Sequence, residues 1–328
     1  MCEKSFRTVE LMKRPNITEL ARKAKVSVTT VSRAMNNHPY VKKDVYERIM
    51  NAAHEMNYTP GNVVRKKRLG IIVEDFDRNM IGAYSGSVLM HLSKYCHING
   101  WGMEIVPIGD LQLLEESFIK VAISMSPRSI GKLKHTRIIP FNWTTDGYPA
   151  VLSDYRREIR LAVEHLFERG CRRPVMCLPG RESPAIINSI DQRKASFLEL
   201  LSELELPGGE GMIGYLIAGN PVEVIGKLLK NNQADSLIIA GEDMLYPVNY
   251  ALDILRYKIP EDISVISYEN RMISQYMIPP HTALAQDFDG LAKNAIRLAD
   301  KALDGTLEPD TRILVSSKLI IRESVKSI

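Results

Sequence analysis

Asn16-Ile17-Thr18-Glu19-Leu20-Ala21-Arg22-Lys23-Ala24-Lys25-Val26-Ser27-Val28-Thr29-Thr30-Val31-Ser32-Arg33-Ala34-Met35 is the stretch that decides how this chain is read. Ile17, Leu20, Ala21 and Ala24 fall on one helical face, and Asn16 with Glu19 three residues later has capping-box spacing, so a helix starts at about residue 17. Lys25-Val26-Ser27 breaks it. Behind Ser27 as N-cap, Val28, Val31 and Met35 repeat at helical spacing, leaving Thr29, Thr30, Ser32 and Arg33 on faces that can reach base edges and phosphates. A third helix is predicted from about Lys43 to Asn57, its stripe of Val45, Ile49, Ala52, Ala53 and Met56 closing a three-helix core. This is the outline of a helix-turn-helix nucleic-acid reader.

Charge points the same way. Residues 1–68 hold 15 Lys+Arg against 6 Asp+Glu, net +9, whereas the remainder is net −5. A basic module gains affinity for phosphates through counterion release, and an acidic body does not. Arg65-Lys66-Lys67-Arg68, directly after the three helices, is read as a phosphate-contacting hinge with the solvated linker as its alternative.

From Leu69 onward, short apolar runs alternate with helical segments. Leu69–Val73, Met103–Pro107, Ile138–Phe141, Val175–Leu178, Leu237–Ala240 and Ile263–Ile266 read as buried parallel strands, with helices such as Tyr155 to Arg169 and Asp191 to Glu203 between them. The predicted fold class is therefore α/β: a three-helix headpiece followed by a two-lobed body of doubly wound sheets, whose ligands bind beyond the strands' carboxyl ends. No run of eighteen apolar residues and no secretory leader is seen, which favours a cytoplasmic protein. Cys2, Cys96, Cys171 and Cys177 lack metal-ligand spacing, so no metal and no cofactor is expected.

Ala21-x-x-Ala24-x-Val26-Ser27-x-x-Thr30-Val31-Ser32-Arg33-x-Met35-Asn36, then Val41, then Ala52-Ala53-x-Glu55-Met56-Asn57-Tyr58-x-Pro60, resembles the headpiece of the LacI/GalR bacterial transcriptional regulators. In the body, Asp154 through Arg173, Arg193-x-x-x-Phe197, Ile259 through Glu269 and Pro279 through Phe288 are similar to that family's periplasmic-binding-protein-like core. The resemblance implies a homodimeric regulator, read as a repressor, that binds a pseudo-palindromic operator and responds to a small effector, carbohydrate above all, between its lobes. It divides the chain into an arm or upstream start at 1–15, the headpiece at 16–60, a short hinge at 61–68 and the body at 69–328. The lobes would be about 69–145 with 286–306 and about 146–285 with 307–324. Translation from Met1 or from Met12 stays open.

By the same resemblance, Thr18, Ser27, Val28, Thr29, Thr30, Ser32, Arg33 and Asn36, with Arg65, Lys66 and Lys67, are the DNA-contact candidates. Val28 and Thr29 would choose the operator. Arg193 and Glu269 match the family's effector-binding arginine and aspartate, Phe288 an aromatic against the ligand, and Asn142 and Trp143 a strand that delivers polar and aromatic contacts. Phe76, Asp77 and Asp243 join them from predicted strand ends. A guanidinium donates paired bonds to hydroxyls or carboxylates, an acid accepts from hydroxyls and flat rings cover apolar faces. The bland alternatives are that Arg193 pairs with Asp191 or Glu199 on its own helix, Phe288 is helix core and Trp143 fills a lobe interface.

The chain also departs from the family. Lys25 stands at the turn glycine, costing roughly 1 kcal/mol if the backbone there is left-handed. Val64 and Lys67 stand where a hinge helix would carry its alanine and wedging leucine, so less operator bending is expected. Between Pro107 and Ile138 the chain is short, leaving a helix at Leu111 to Phe118 and a polar-leaning Ile119 to Ser126. Glu158 and Ser196 replace helix glycines. These departures keep open a regulator that has lost its small-molecule response and is constitutive or protein-controlled. A sugar-transport binding protein would need a leader and no basic headpiece, and an enzyme would need a nucleophile or phosphate-loop motif that is not found. The C-terminal strands at Arg312–Val315 and Leu319–Ile321 run to Ile328 without a leucine heptad, so a dimer rather than a tetramer is expected.

Overall fold

The computed structural model describes residues 15–35, 40–56, 58, 67–74, 83–128, 130, 133–180, 189–216, 220–241, 244–269 and 273–327. The chain divides into two units, Met1–Lys67 with Glu115–Phe118 and Arg68–Leu114 with Ile119–Ile328. In the first, α1 (Ile17–Lys23), α2 (Val28–Met35) and α3 (Lys43–Glu55) pack around Leu20, Val31, Ile49 and Ala53, all fully buried. The capping box forms in full: Asn16 Oδ1 accepts from the Thr18 and Glu19 amides at 3.0 Å each, and Glu19 Oε2 accepts the Asn16 amide at 3.1 Å. Lys25 lies at φ 53°, so the turn keeps its left-handed residue without the glycine that would hold it at no steric cost. The α2 reading needs one correction. Ala34, not Val28, joins Val31 in the core, because position 28 opens the helix on its outer side and stays 41% exposed.

Two sheets organise the second unit. The first runs β2-β1-β3-β4, from β1 (Lys67–Val73), β2 (Trp101–Pro107), β3 (Val121–Ser124) and β4 (Arg137–Pro140). The helices α4 (Ala83–Ile98) and α10 (Phe288–Leu303) pack on it and on each other. The segment 119–126, polar-leaning by sequence, supplies a central strand: β3 is buried throughout and pairs in parallel with both β1 and β4. The short α5 (Gln112–Glu116) precedes it, and Gly70 is a glycine because a Cβ there would strike the Leu114 side chain.

The second sheet runs β12-β10-β9-β8-β6-β7, comprising β6 (Pro174–Pro179), β7 (Ile213–Leu216), β8 (Ser236–Ile239), β9 (Ser264–Glu269), β10 (Thr282–Ala285) and β12 (Lys318–Ile320). Only the β10–β12 pair is antiparallel. Its helices are α6 (Tyr155–Glu168), α7 (Ser189–Glu203), α8 (Pro221–Asn232) and α9 (Leu245–Ile254). A parallel pair, β5 (Ala150–Ser153) with β11 (Arg312–Val315), joins the first sheet through a Phe141–Val151 bridge. Val151, Ile313 and Val315 pack in the first lobe's core, so the chain passes between lobes after β5, β10 and β11 rather than near 145 and 306. These passages are bonded together: the Asp154 amide donates to the Val315 carbonyl at 2.9 Å, and Gln286 Nε2 donates to Ser153 Oγ at 3.0 Å.

The basic run after the headpiece also reads differently in the structure. Lys67 opens β1, and Arg68 pairs with Glu104 on neighbouring β2, so the last two cations of the expected hinge are strand residues. Arg65 and Lys66 lie outside the described residues.

Candidate functional sites on the second helix and between the lobes

Ser27 caps α2 by accepting the Thr30 amide at 3.1 Å, and its hydroxyl lies 2.8 Å from Thr30 Oγ1. Those two hydroxyls therefore hold the helix start, while Val28, Thr29, Ser32 and Arg33 form an exposed face. An apolar methyl pair beside a hydroxyl and a guanidinium can read a thymine methyl, base edges and phosphates. Thr18 is exposed one turn into α1, and Asn36 lies outside the described residues.

In the body, Arg193 is the side chain that stands out. It lies on the first half of α7, 7% exposed, with its guanidinium between two phenol rings, 4.2 Å from the Tyr268 centroid and 4.9 Å from that of Tyr155. Its Nη1 donates to the Ala240 carbonyl at 3.2 Å, at the carboxyl end of β8, and its buried Nε has no hydrogen-bond partner. Neither same-helix pairing considered for it forms: Glu199 takes Arg156 at 2.8 Å instead. Burial opposes the Arg193 charge, but Tyr268, Tyr155 and Glu158 outweigh it and raise its pKa. An arginine in this setting keeps its proton, and it is the Nε alone that is left without an acceptor.

Glu158 on the first turns of α6 is fully buried beside it. Its Oε2 accepts from the Tyr268 hydroxyl at 3.0 Å, and its Oε1 accepts from the Ser317 hydroxyl on the third passage between lobes. Burial pushes its pKa up, and Arg193 and those two hydroxyls pull against that. Across the cleft, Tyr84 of α4 accepts from Asn142 Nδ2 at 2.6 Å, and burial raises its pKa to about 12.

The remaining effector candidates separate into groups. Asn142, at φ 60°, uses its other amide atom to accept the Ser153 amide at 2.7 Å, and its carbonyl lies 3.4 Å from the Tyr155 hydroxyl. Trp143 is 3% exposed and donates its indole N–H to the Ser124 carbonyl at 2.9 Å. Phe288 is core, set edge-on to Tyr84 at 5.6 Å. Asn142 and Phe288 thus support Tyr84 and Tyr155 rather than offering free polar atoms or an open ring face, and Trp143 packs as core. Glu269 ends β9, next to Tyr268, while Phe76, Asp77 and Asp243 lie outside the described residues. Sequence reasoning missed Tyr84, Tyr155 and Tyr268. The available signals were that Tyr155 follows the α6 cap and Tyr268 precedes Glu269 at a strand end.

Among the described residues no three His, Cys, Asp or Glu side chains group to hold a metal, and no helix is long and apolar enough to cross a membrane. Residues 16–61 match the bacterial regulatory proteins of the lacI family, and residues 163–325 match the periplasmic binding protein-like domain. The chain is 27% identical over 347 residues to the NTD biosynthesis operon regulator NtdR of Bacillus subtilis strain 168, covering 94% of this chain and 99% of that one. Its fold is similar to the lac repressor dimer bound to operator and the anti-inducer ONPF (TM-score 0.66, 17% identity, 96% and 100% coverage). It is likewise similar to a transcriptional regulator CelR–cellobiose complex (TM-score 0.67, 19% identity, 95% and 100% coverage). With a capped, outward-facing second helix in the headpiece and a doubly wound two-lobed body behind it, the chain belongs to the LacI family of DNA-binding transcriptional regulators.

Proposed function

We propose that this regulator binds a pseudo-palindromic operator as a homodimer in the cytoplasm, represses transcription from it, and changes its grip when a small uncharged or polar metabolite enters the interlobe site at Arg193. The observation that carries the ligand response is the buried guanidinium whose Nε has no acceptor, since leaving such a donor unpaired costs about 1–3 kcal/mol that a ligand oxygen would recover. Sequence choice falls to Val28 and Thr29, with Arg33 one turn further along α2 and Thr18 on α1. Lys66 and Arg65 remain phosphate-contact candidates on sequence grounds.

Support for a second copy as partner comes from α9, where Tyr246, Tyr250 and Ile254 recur four residues apart and are 54–58% exposed. Such a row on one helical face is what a symmetric interface would cover. The named dimer among the similar structures agrees with that occupant.

The test is a thermal-shift screen of sugars, sugar phosphates and nucleobases on the wild type and Arg193→Ala. A ligand that stabilises the wild type by several degrees and leaves the variant unmoved supports the reading. Equal stabilisation of both would remove Arg193 from the site, and no response across a broad library would favour a regulator without small-molecule control.

A further inference from the structure

We infer that Asn142 is a positioning residue for the lobe arrangement: its side chain ties the wall of the first lobe to the first passage, and its main-chain carbonyl holds Tyr155 of the second lobe. All four of its polar groups are used. Its amide donates to the Val151 carbonyl of β5 at 2.8 Å, and its Nδ2 donates to the Tyr84 hydroxyl of α4 at 2.6 Å. Its Oδ1 accepts the Ser153 amide at 2.7 Å, and its carbonyl lies 3.4 Å from the Tyr155 hydroxyl of α6. A main-chain N–H can only donate, so the Ser153 bond fixes which way the side-chain amide faces. Three of these bonds stay within the first lobe, and the fourth crosses to the second.

The backbone explains why the residue is asparagine. Past the Phe141–Val151 bridge, a parallel ladder would hand the Ser153 amide to the Asn142 carbonyl. Asn142 stands at φ 60° instead, which turns that carbonyl out of the ladder, and its own Oδ1 takes the Ser153 amide in its place. Glycine tolerates that backbone but brings no side chain, whereas asparagine tolerates it and supplies an acceptor for Ser153 and a donor for Tyr84. The freed carbonyl meets Tyr155, whose ring lies 4.9 Å from the Arg193 guanidinium and whose hydroxyl is also bonded by Ser189 at the head of α7. On the other side, Ser153 Oγ accepts from Gln286 in the second passage, and Tyr84 sets its ring against Phe288 two residues further on. Removing the Asn142 side chain frees Tyr84 and returns the Ser153 amide to the main-chain carbonyl, which then lets go of Tyr155. The inference rests on the reading that lobe arrangement governs the grip on DNA, and not on any ligand at Arg193.

The experiment measures small-angle scattering of the full chain and its affinity, by fluorescence anisotropy, for a duplex carrying the consensus recovered from random DNA. Asn142→Gly, which keeps the backbone conformation and the carbonyl, should change the scattering profile and shift operator affinity by at least about fivefold. Tyr84→Phe removes one of the two side-chain bonds and should shift affinity in the same direction by less; it carries the test if the glycine variant folds poorly. Asn142→Asp accepts from both the Ser153 amide and the Tyr84 hydroxyl, and should restore affinity to within about twofold of the wild type. Asn232→Ala loses an amide side chain bonded to the Gly211 and Leu228 carbonyls in the second lobe, and should lower the melting temperature without moving operator affinity. Asn142→Gly and Tyr84→Phe that melt lower but scatter and bind DNA as the wild type does would reduce Asn142 to a structural residue and overturn the inference. An aspartate variant that behaves like the glycine one would overturn it too. A changed profile with unchanged operator affinity supports Asn142 as the positioning residue and removes instead the reading that lobe arrangement governs the grip on DNA.

Discussion

His281 gives this fold a measurable weakness toward acid. It enters β10 fully buried, and neither ring nitrogen has a hydrogen-bond partner. Burial, then the nearby Arg322 charge, lowers its pKa from 6.5 to about 4. Arg322 is fixed there because its Nη1 donates to the His281 carbonyl at 2.7 Å and to Ser274 Oγ at 3.0 Å. The native state therefore binds fewer protons than the unfolded chain between pH 6.5 and 4, so stability is complete above 6.5 and is lost as pH falls through that window. A drop to about 4 corresponds to roughly 3 kcal/mol in all, of which about 2.5 kcal/mol is gone by pH 4.5. His281→Leu removes the titration and buries no polar atom. Urea unfolding followed by far-ultraviolet circular dichroism at pH 7.5 and 4.5 reads the difference. The wild type should lose about 2.5 kcal/mol more than the variant on acidification, and the variant should match the wild type at pH 7.5 within about 1 kcal/mol. Parallel acid slopes, or a His281 resonance titrating near its ordinary value, would refute the reasoning.

Other expectations are briefer. Asn16→Ala deletes the cap bonds to Thr18 and Glu19 and should lower headpiece stability by about 1 kcal/mol, seen as a lower first transition in calorimetry. Lys25→Gly should raise the same transition by about as much, because φ 53° is a glycine conformation. A Val28/Thr29 double substitution should change the consensus recovered from random DNA, and an unchanged consensus would take base reading away from these residues. Tyr246→Ser with Tyr250→Ser should shift light scattering from dimer toward monomer, and a dimer of undiminished affinity would place the interface elsewhere.

The sequence spoke most clearly where one residue has one local job. Asn16 and Glu19 form the box their spacing announces, the apolar runs at 69–73 and 175–178 lie within β1 and β6, and three of the four residues of the run at 237–240 lie within β8. It spoke least clearly where burial is decided by distant partners. β3 was obscured by Ser124 and Ser126, whose hydroxyls are satisfied by the Ser126 carbonyl two residues on and by Glu74, the second a contact that no local pattern encodes. Arg193 was legible as a residue through the family resemblance, but its setting was not. The rings on either side come from α6 and β9, separated from it by 38 and 75 positions in the chain. Asn142 and Phe288 carried side chains suited to a ligand and are spent on the protein, because a polar amide at φ 60° finds Ser153 and Tyr84 already within reach.

That arrangement bears on how a bound molecule could alter the body. Ligand binding shifts a two-state equilibrium only through a difference in affinity between the states. Here the lobes are joined by polar contacts at the passages themselves: Gln286 holds Ser153, Asp154 holds Val315 and Ser317 holds Glu158. Asn142 bonds Tyr84 and receives the Ser153 amide, so the first lobe's wall and the first passage share one side chain. A ligand seated on Arg193 pulls on Tyr155 and Tyr268, and through Tyr268 on Glu158 and the third passage. Differential affinity then follows from whether these hydroxyl and carboxylate contacts can all be kept as the lobes rotate. Ser317→Ala separates the two possibilities, since it cuts the link from Glu158 to the passage while leaving the Arg193 rings in place. If the link transmits the response, this variant should bind the ligand with near-normal affinity yet lose most of the ligand-induced change in operator affinity, measured by fluorescence anisotropy. A variant that binds and responds as the wild type does would mean that the third passage plays no part in the coupling.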